Sequence, residues 1–484
     1  MLQYKDTKNL KELKSSFVQT NKKENFFSKL IDVLKIGKYH ATFSKSKQKG
    51  IPVLAILRVL ITFPFLGLDN VHQFTNSYWS KLSGFGKDSY YRLMNNSRIN
   101  WRGFLFGIVK SVILNLSKRT PQPELKQAVS ALIFDDTPIE KTGKTIEGVS
   151  KIWNHVIQKS ILGYQLLVMG IYDGTSFMPL DFTFHREKGK NKKLKFGLNP
   201  RHYNKQFKAE RESSSAGYKR KKELDITKIS SVAKMIVRAT ENGISAQYVL
   251  VDSWFTCWEI VSTSILCKMK FVGMFSKVKT LFGYDSKDLT YNQIRQKNRR
   301  NIKRCKRFNL YYIRTVADWH GQKIVLNFTR KGKHGKWKTI LSTDLSASFI
   351  ETVEIYQIRW TIEVFFKETK QLLGLGKCQS ENFDAQIAST TLVMVQYIFL
   401  ALKNRIDKYE SIGGVFQDTQ ENVTEQRLHE RLLALLISII EVFEAFSEQF
   451  DNDDLIAKLL NDDKVFDKFK ILLFPSETRE KIAV

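Results

Sequence analysis

The chain has 484 residues and carries 78 Lys and Arg against 48 Asp and Glu, a formal net charge of +30. Its length suggests about three domains at roughly 150 residues each. The charge excess points to a polyanionic partner such as nucleic acid, because each neutralised phosphate releases a condensed counterion.

Composition also excludes several classes. The cysteines, Cys257, Cys267, Cys305 and Cys378, form no C-x-x-C pair and have no His at finger spacing. They read as reduced thiols of a cytoplasmic protein and exclude a disulfide framework or zinc finger. The opening MLQYKDTKNLKELK lacks the apolar centre of a secretory leader. Residues 51–68 are the most apolar stretch, but Arg58, Pro52, Pro64 and Gly67 interrupt it. A buried helix explains that stretch better than a membrane span.

In chain order, residues 1–125 are expected to be helical. Apolar positions recur at helical spacing through 26–36, 53–63 and 104–116. The region suits a DNA-binding domain or a helical cap packed on the next domain, and no helix-turn-helix signature decides between them. The next region, 126–275, mixes strands and helices. Residues 128–134 form an apolar run of strand length that ends at Asp135 and Asp136. Residues 164–172 and 177–184, joined by Asp173 and Gly174, read as a hairpin, the second strand alternating in polarity. Residues 226–240 have helical periodicity closed by Asn242 and Gly243, 248–251 form a strand ending at Asp252, 256–269 a helix and 271–275 a strand. Residues 276–345 read as a basic, β-rich insertion that ends with a strand at 338–343. Residues 346–410 hold a strong helix at 354–373, and 411–484 form a helical tail. That tail has 8 Lys and Arg against 15 Asp and Glu, so the basic charge lies in the preceding part. The tail, densely apolar at 428–450, either packs on its own chain or pairs two copies.

Two basic stretches interrupt the α/β order. Residues 185–225 carry 14 Lys and Arg against 5 acids, with the run Ser213-Ser214-Ser215-Ala216-Gly217, and residues 276–310 carry 11 against Asp285 and Asp288. As loops beside one site they would clamp a phosphate backbone. Other chemistry is excluded: Gly143-Lys144-Thr145 has Pro138 where a phosphate-binding loop needs Gly, no G-x-S-x-G occurs, and His155, His185 and His202 lack metal-ligand spacing.

The helix at 354–373 carries the chemistry. Tyr356, Arg359, Glu363 and Lys370 fall on one stripe about 60° wide at roughly 100° per residue. Ile358, Ile362, Phe365, Leu372 and Leu373 face the other way. One face therefore buries in a core while the other presents an acid, two cations and a phenol. A surface stripe of ion pairs would share the spacing, but it leaves the alignment of the Tyr unexplained. Asp136 and Asp252 stand at strand ends, where open α/β sheets present ligand groups. Carboxylate oxygens are the hard donors that Mg²⁺ prefers.

Tyr-x2-Arg-x3-Glu-x6-Lys, written here as YQIRWTIEVFFKETK, resembles the signature of IS4-type DDE transposases. FDDTPIEK resembles the motif around their first Asp, and LVDSWF the strand that carries their second. The resemblance runs from about 128 to 374. It implies an α/β, RNase H-like core in two parts, 126–275 and 346–410, separated by the β-rich insertion. It implies that Asp136, Asp252 and Glu363 bind two Mg²⁺ ions, with Mn²⁺ as a substitute, for two-metal phosphoryl transfer. Tyr356, Arg359 and Lys370 would hold phosphates of double-stranded DNA, and Trp337, with Trp319 and Trp254 as competitors, would stack a flipped base. The implied activity is cutting at transposon ends and joining the freed 3′-OH to target DNA, by a homodimer associated with the nucleoid. Asp135 remains an alternative to Asp136, since neighbours on a strand point to opposite faces.

Overall fold

The computed structural model describes residues 50–421 apart from 69, 78–85, 120–127, 190, 192 and 408–409. The expected helix at 26–36 and the acidic tail beyond 421, with its expected pairing role, lie outside the described residues.

The described residues form a mixed α/β structure around one large sheet. Its strands are β1 Ala131–Glu140, β2 Ser150–Asn154, β3 Lys159–Tyr172, β4 Phe177–His185, β5 Tyr248–Val251, β6 Lys270–Phe275, β7 Leu281–Tyr284, β8 Lys287–Thr290, β9 Lys303–Cys305, β10 Leu310–Trp319, β11 Gln322–Lys331 and β12 Lys338–Ser342. In the first part β4 pairs with β3, β3 runs antiparallel to β1, and β1, β5 and β6 run parallel. The expected hairpin is β3–β4, turning at Asp173, whose carboxylate accepts from the Thr175 and Ser176 amides. The alternation expected for β4 is absent. All nine of its residues are buried, because helices cover the sheet there and leave no solvated face.

Among the helices are α1 Val53–Thr62, α2 Lys87–Met94, α3 Trp101–Arg119, α4 Lys228–Glu241, α5 Trp258–Leu266, α6 Tyr291–Lys297, α7 Phe349–Gln357, α8 Trp360–Leu372 and α9 Phe383–Asp407. Helix α4 starts where Thr227 caps it by accepting from the Ser230 amide. It packs on α5. Helix α8 lies against β1 and α9, and α9 packs against β4, α1 and α3. Residues Phe383–Arg405 are apolar enough to cross a membrane by length and composition, yet 94% of the apolar window is buried, so this is a core helix. Helices α1 and α3 of the N-terminal region both pack on α9. Gln396 of α9 even donates to the carbonyls of Leu60 and Ile61.

The insertion strands do not form a separate sheet. β12 returns antiparallel to β6, pairing Thr339 with Phe275 and Ser342 with Val272, so the core sheet continues through β11 and β10. The basic stretch 185–225 is also more ordered than a loop clamp. Ser215 caps a helix at Ala216–Lys222, and the Gly217 amide donates to Ser97. A Cβ at Gly217 would lie 2.2 Å from the Asp384 carboxylate, so the small residue serves close packing. Arg211 is buried against Glu147 and Asp384, and Arg220 against Glu223. These two guanidiniums are held in internal ion pairs and do not face a backbone.

Candidate active site

The strand expected to end at Asp135 and Asp136 runs on to Glu140 by pairing with β3, so both acids sit in the middle of β1 and leave it on opposite faces, as the pleat requires. The Asp136 carboxylate takes a 2.8 Å bond from Lys228 at the start of α4. The Asp135 carboxylate takes a 3.1 Å bond from Arg359, in the turn between α7 and α8. Thr137, two residues on from Asp135, returns to that second face. There its hydroxyl accepts a 2.6 Å bond from Lys370 of α8. Two independent contacts therefore assign the α8 face of β1 to Asp135 and Thr137, and the α4 face to Asp136.

Sequence periodicity reads a single helix over 354–373, and the structure divides it. Ile358, Arg359, Thr361 and Ile362 each donate to the carbonyl three residues earlier, a tighter turn than an α-helix makes. This turn lies inside the Tyr356–Arg359–Glu363 stripe. It leaves Arg359 at the head of α8, with its guanidinium bound to both Asp135 and Glu363. Glu363 falls in the first turn of α8, where the helix dipole favours an acid.

Asp252 follows β5, the parallel neighbour of β1. Its Oδ1 accepts from the amides of Trp254 at 3.0 Å and Phe255 at 3.1 Å. These bonds fix the carboxylate at the strand end. Burial, and the nearby charges of Asp252 and Asp136, push Asp135 up to about 7 although Arg359 pulls the other way. Burial also raises Asp252, with the Asp136 charge adding to it and the two amides opposing. Burial lowers Lys370 and raises Tyr356. Against its own burial, Arg359 is held charged by Tyr356, Asp135 and Glu363. The site is thus a partly desolvated group of acids around one guanidinium, with a phenol and an ammonium alongside.

Among the described residues no three His, Cys, Asp or Glu converge into a ready metal cage. The donor chemistry suits a hard divalent cation all the same, because Asp135, Asp252 and Glu363 offer carboxylate oxygens. Arg359 supplies the positive charge between Asp135 and Glu363 in this arrangement.

The tryptophans separate clearly. Trp319 is buried among Trp258, Phe275 and Phe282 and belongs to the core. Trp337 is partly buried under the guanidinium of Arg330, 4.6 Å from its ring centre, and near Arg295. Trp254 is 50% exposed beside Asp252, with the Lys228 ammonium 4.2 Å from its ring centre. Among the histidines, His185 is buried between Thr183 and the Ile226 carbonyl, and His155 is exposed. Sequence reasoning missed Lys228. Thr227 does signal a helix start there, but nothing local links Lys228 to an Asp 92 positions earlier.

Residues 80–262 match the family model described as DDE superfamily endonuclease, and residues 232–398 match that of the transposase DDE domain. The first match spans Asp135, Asp136 and Asp252, and the second spans Asp252, Tyr356, Arg359, Glu363 and Lys370. No curated protein matches the chain. The two matches support a DDE transposase with a transposase-type DNA-cleaving activity. Such domains act on DNA and generally use divalent metal ions.

Proposed function

We propose that the protein is an IS4-type transposase that cuts DNA at transposon ends and joins the freed 3′-OH to target DNA. The observation that carries this reading is the Arg359 guanidinium bound to Asp135 of β1 and Glu363 of α8, with Asp252 at the end of β5 near enough for its charge to act on Asp135. The strand order β4-β3-β1-β5-β6, with the first two junctions antiparallel and the last two parallel, supports an RNase H-like core. The continuation of that sheet into β12, β11 and β10 supports reading 276–345 as an insertion.

Asp135, rather than Asp136, is the first metal ligand in this proposal, because it shares the α8 face with Glu363. Asp252 and Glu363 complete the set, for Mg²⁺ with Mn²⁺ as substitute. Two bound ions would activate the attacking oxygen and neutralise the leaving one. Arg359 and Lys370 hold non-bridging phosphate oxygens, as a planar fork and as a point charge. Tyr356 donates its hydroxyl, which burial keeps protonated. Water attacks the scissile phosphorus and the 3′-oxygen leaves. That 3′-OH then attacks a second phosphodiester and displaces its 3′-oxygen. A homodimer would bring the two ends together.

The test is cleavage and joining of labelled duplex with Mg²⁺. Asp252→Ala abolishes both while DNA binding persists. Cleavage by Asp252→Ala would refute the site. Cleavage by the wild type without joined product would reduce the activity to that of a nuclease. Crystals soaked in Mn²⁺ should show metal density at Asp135, Asp252 and Glu363, and density elsewhere would refute the ligand set.

A further inference from the structure

The hairpin β2–β3 ends in a four-residue loop, His155-Val156-Ile157-Gln158, whose chemistry is wrong for a solvated turn. Loop tips favour Gly, Asn, Asp and Ser. Here Val156 is 88% exposed and Ile157 50% exposed, with Trp153 37% exposed on the strand below. The loop is nonetheless well built. The Val156 amide donates to Asn154 Oδ1 at 3.0 Å, the Gln158 side chain donates to the His155 carbonyl at 2.6 Å, and Gln158 takes a positive φ of 51°. Two aliphatic side chains are thus held outward by an ordered turn.

Register shows where the tip points. Gly163 pairs with Glu140, the last residue of β1, and with Ser150, the first of β2. Beyond Gly163 the β2–β3 ribbon projects past the end of β1. That end faces the same way as the end of β5, where Asp252 stands, because β1 and β5 are parallel. Asp135 pairs with Val168, and the ribbon's last pair is Asn154 with Lys159. At about 3.4 Å per residue the tip lies about 31 Å along the strand from Asp135. A DNA strand rises about 3.4 Å per nucleotide, so duplex of this length holds about nine base pairs.

The surroundings choose the occupant. Lys151 and Lys159 are exposed on the ribbon, and Lys193 and Lys195 are exposed on the segment that packs against β2. The nearby acid, Glu187, engages the Trp153 amide and the Gln165 side chain. An apolar tip in a cationic frame suits a duplex, into which aliphatic side chains can wedge between base steps while lysines hold the backbone.

We propose that Val156 and Ile157 form a wedge that enters duplex DNA about nine base pairs from the scissile phosphate. This rests on the proposed DNA-cleaving function and adds a second contact to it. The probe is a 30-base-pair duplex carrying several 2-aminopurines, bound without metal and read by polarisation and by 2-aminopurine fluorescence. The wild type should bind and raise the fluorescence by unstacking bases. Val156→Ser/Ile157→Ser, which removes no charge, should bind roughly tenfold more weakly and leave the fluorescence low. Val156→Leu/Ile157→Leu should restore both. Unchanged affinity and fluorescence in the Ser variant would overturn the wedge while leaving the cleavage site standing. So would a Ser variant that only changes the oligomeric state by light scattering, since the tip would then be a contact between copies. A wild type that binds no duplex would instead sink the DNA reading itself.

Discussion

Replacing Asp135 by Asn separates the two aspartates of β1 and also tests the electrostatics of the site. The Asp135 side chain is only 18% exposed. Burial, with the Asp252 and Asp136 charges near it, pushes its carboxyl from 3.8 to about 7. A carboxyl raised on folding stabilises the fold while protonated, and that contribution fades as pH climbs from about 4 through about 7. At about 1.36 kcal/mol per pKa unit, ionising Asp135 in the metal-free protein costs roughly 4 kcal/mol. Asn cannot ionise, and its one oxygen keeps one of the two bonds that Asp135 accepts, from Arg359 at Oδ2 and from the Asp136 amide at Oδ1. Whatever its offset near pH 4, metal-free Asp135→Asn should therefore gain on the wild type by up to roughly 4 kcal/mol by pH 8. Urea unfolding in chelator across that range measures the gap. The same substitution should abolish Mg²⁺-dependent cleavage, because the ionised oxygen is what a metal needs, whereas Asp136→Asn should retain it. A gap that stays flat with pH, or cleavage lost in Asp136→Asn and kept in Asp135→Asn, would refute the reasoning.

Other contacts carry further expected outcomes. Glu363→Gln should lose cleavage by orders of magnitude while DNA affinity in a polarisation assay stays within severalfold. Arg211→Ala strips a buried partner from Glu147 and Asp384, and the uncompensated acids should cost about 3–5 kcal/mol in urea unfolding. His185 is lowered to about 4 by burial. Its neutral form therefore stabilises the fold above pH 6.5, and this is lost as pH falls toward 4. His185→Gln should flatten that acid limb, worth up to roughly 3 kcal/mol. Lys370→Ala removes the bonds to Thr137 and the Pro138 carbonyl, and it should raise KM for DNA more than it lowers thermal stability.

Much of the sheet was legible because local signals sufficed. The run before Asp135 and the run before Asp252 are too short and apolar to be anything but buried strands, and Asp173-Gly174 announces the β3–β4 hairpin. Legibility failed where partners lie far apart in sequence. The run Ser213-Ser214-Ser215-Ala216-Gly217 looks flexible in isolation. In the fold Ser215 caps a helix there, and Arg211 just before the run binds Glu147 and Asp384 across the fold. Full burial of β4 likewise depends on α3 and α9, which no window around β4 contains.

The choice within the Asp135–Asp136 pair could not be read from the sequence, for a more specific reason. Alternation along β1 says that the two carboxylates diverge, but it does not say which helix covers which face. Only the crossovers decide that. Lys228 arrives on α4 after β4, whereas Arg359 and Glu363 arrive on α8 after the sheet has run out through β7–β11 and returned on β12. The helical stripe carried half of this information, since it placed Glu363 with Arg359 and Lys370. Lys370 supplies the rest by meeting Thr137, which shares the parity of Asp135. A stripe on one element and parity on another are each mute about the other. One hydrogen bond between them is enough to favour Asp135 as the partner of Glu363.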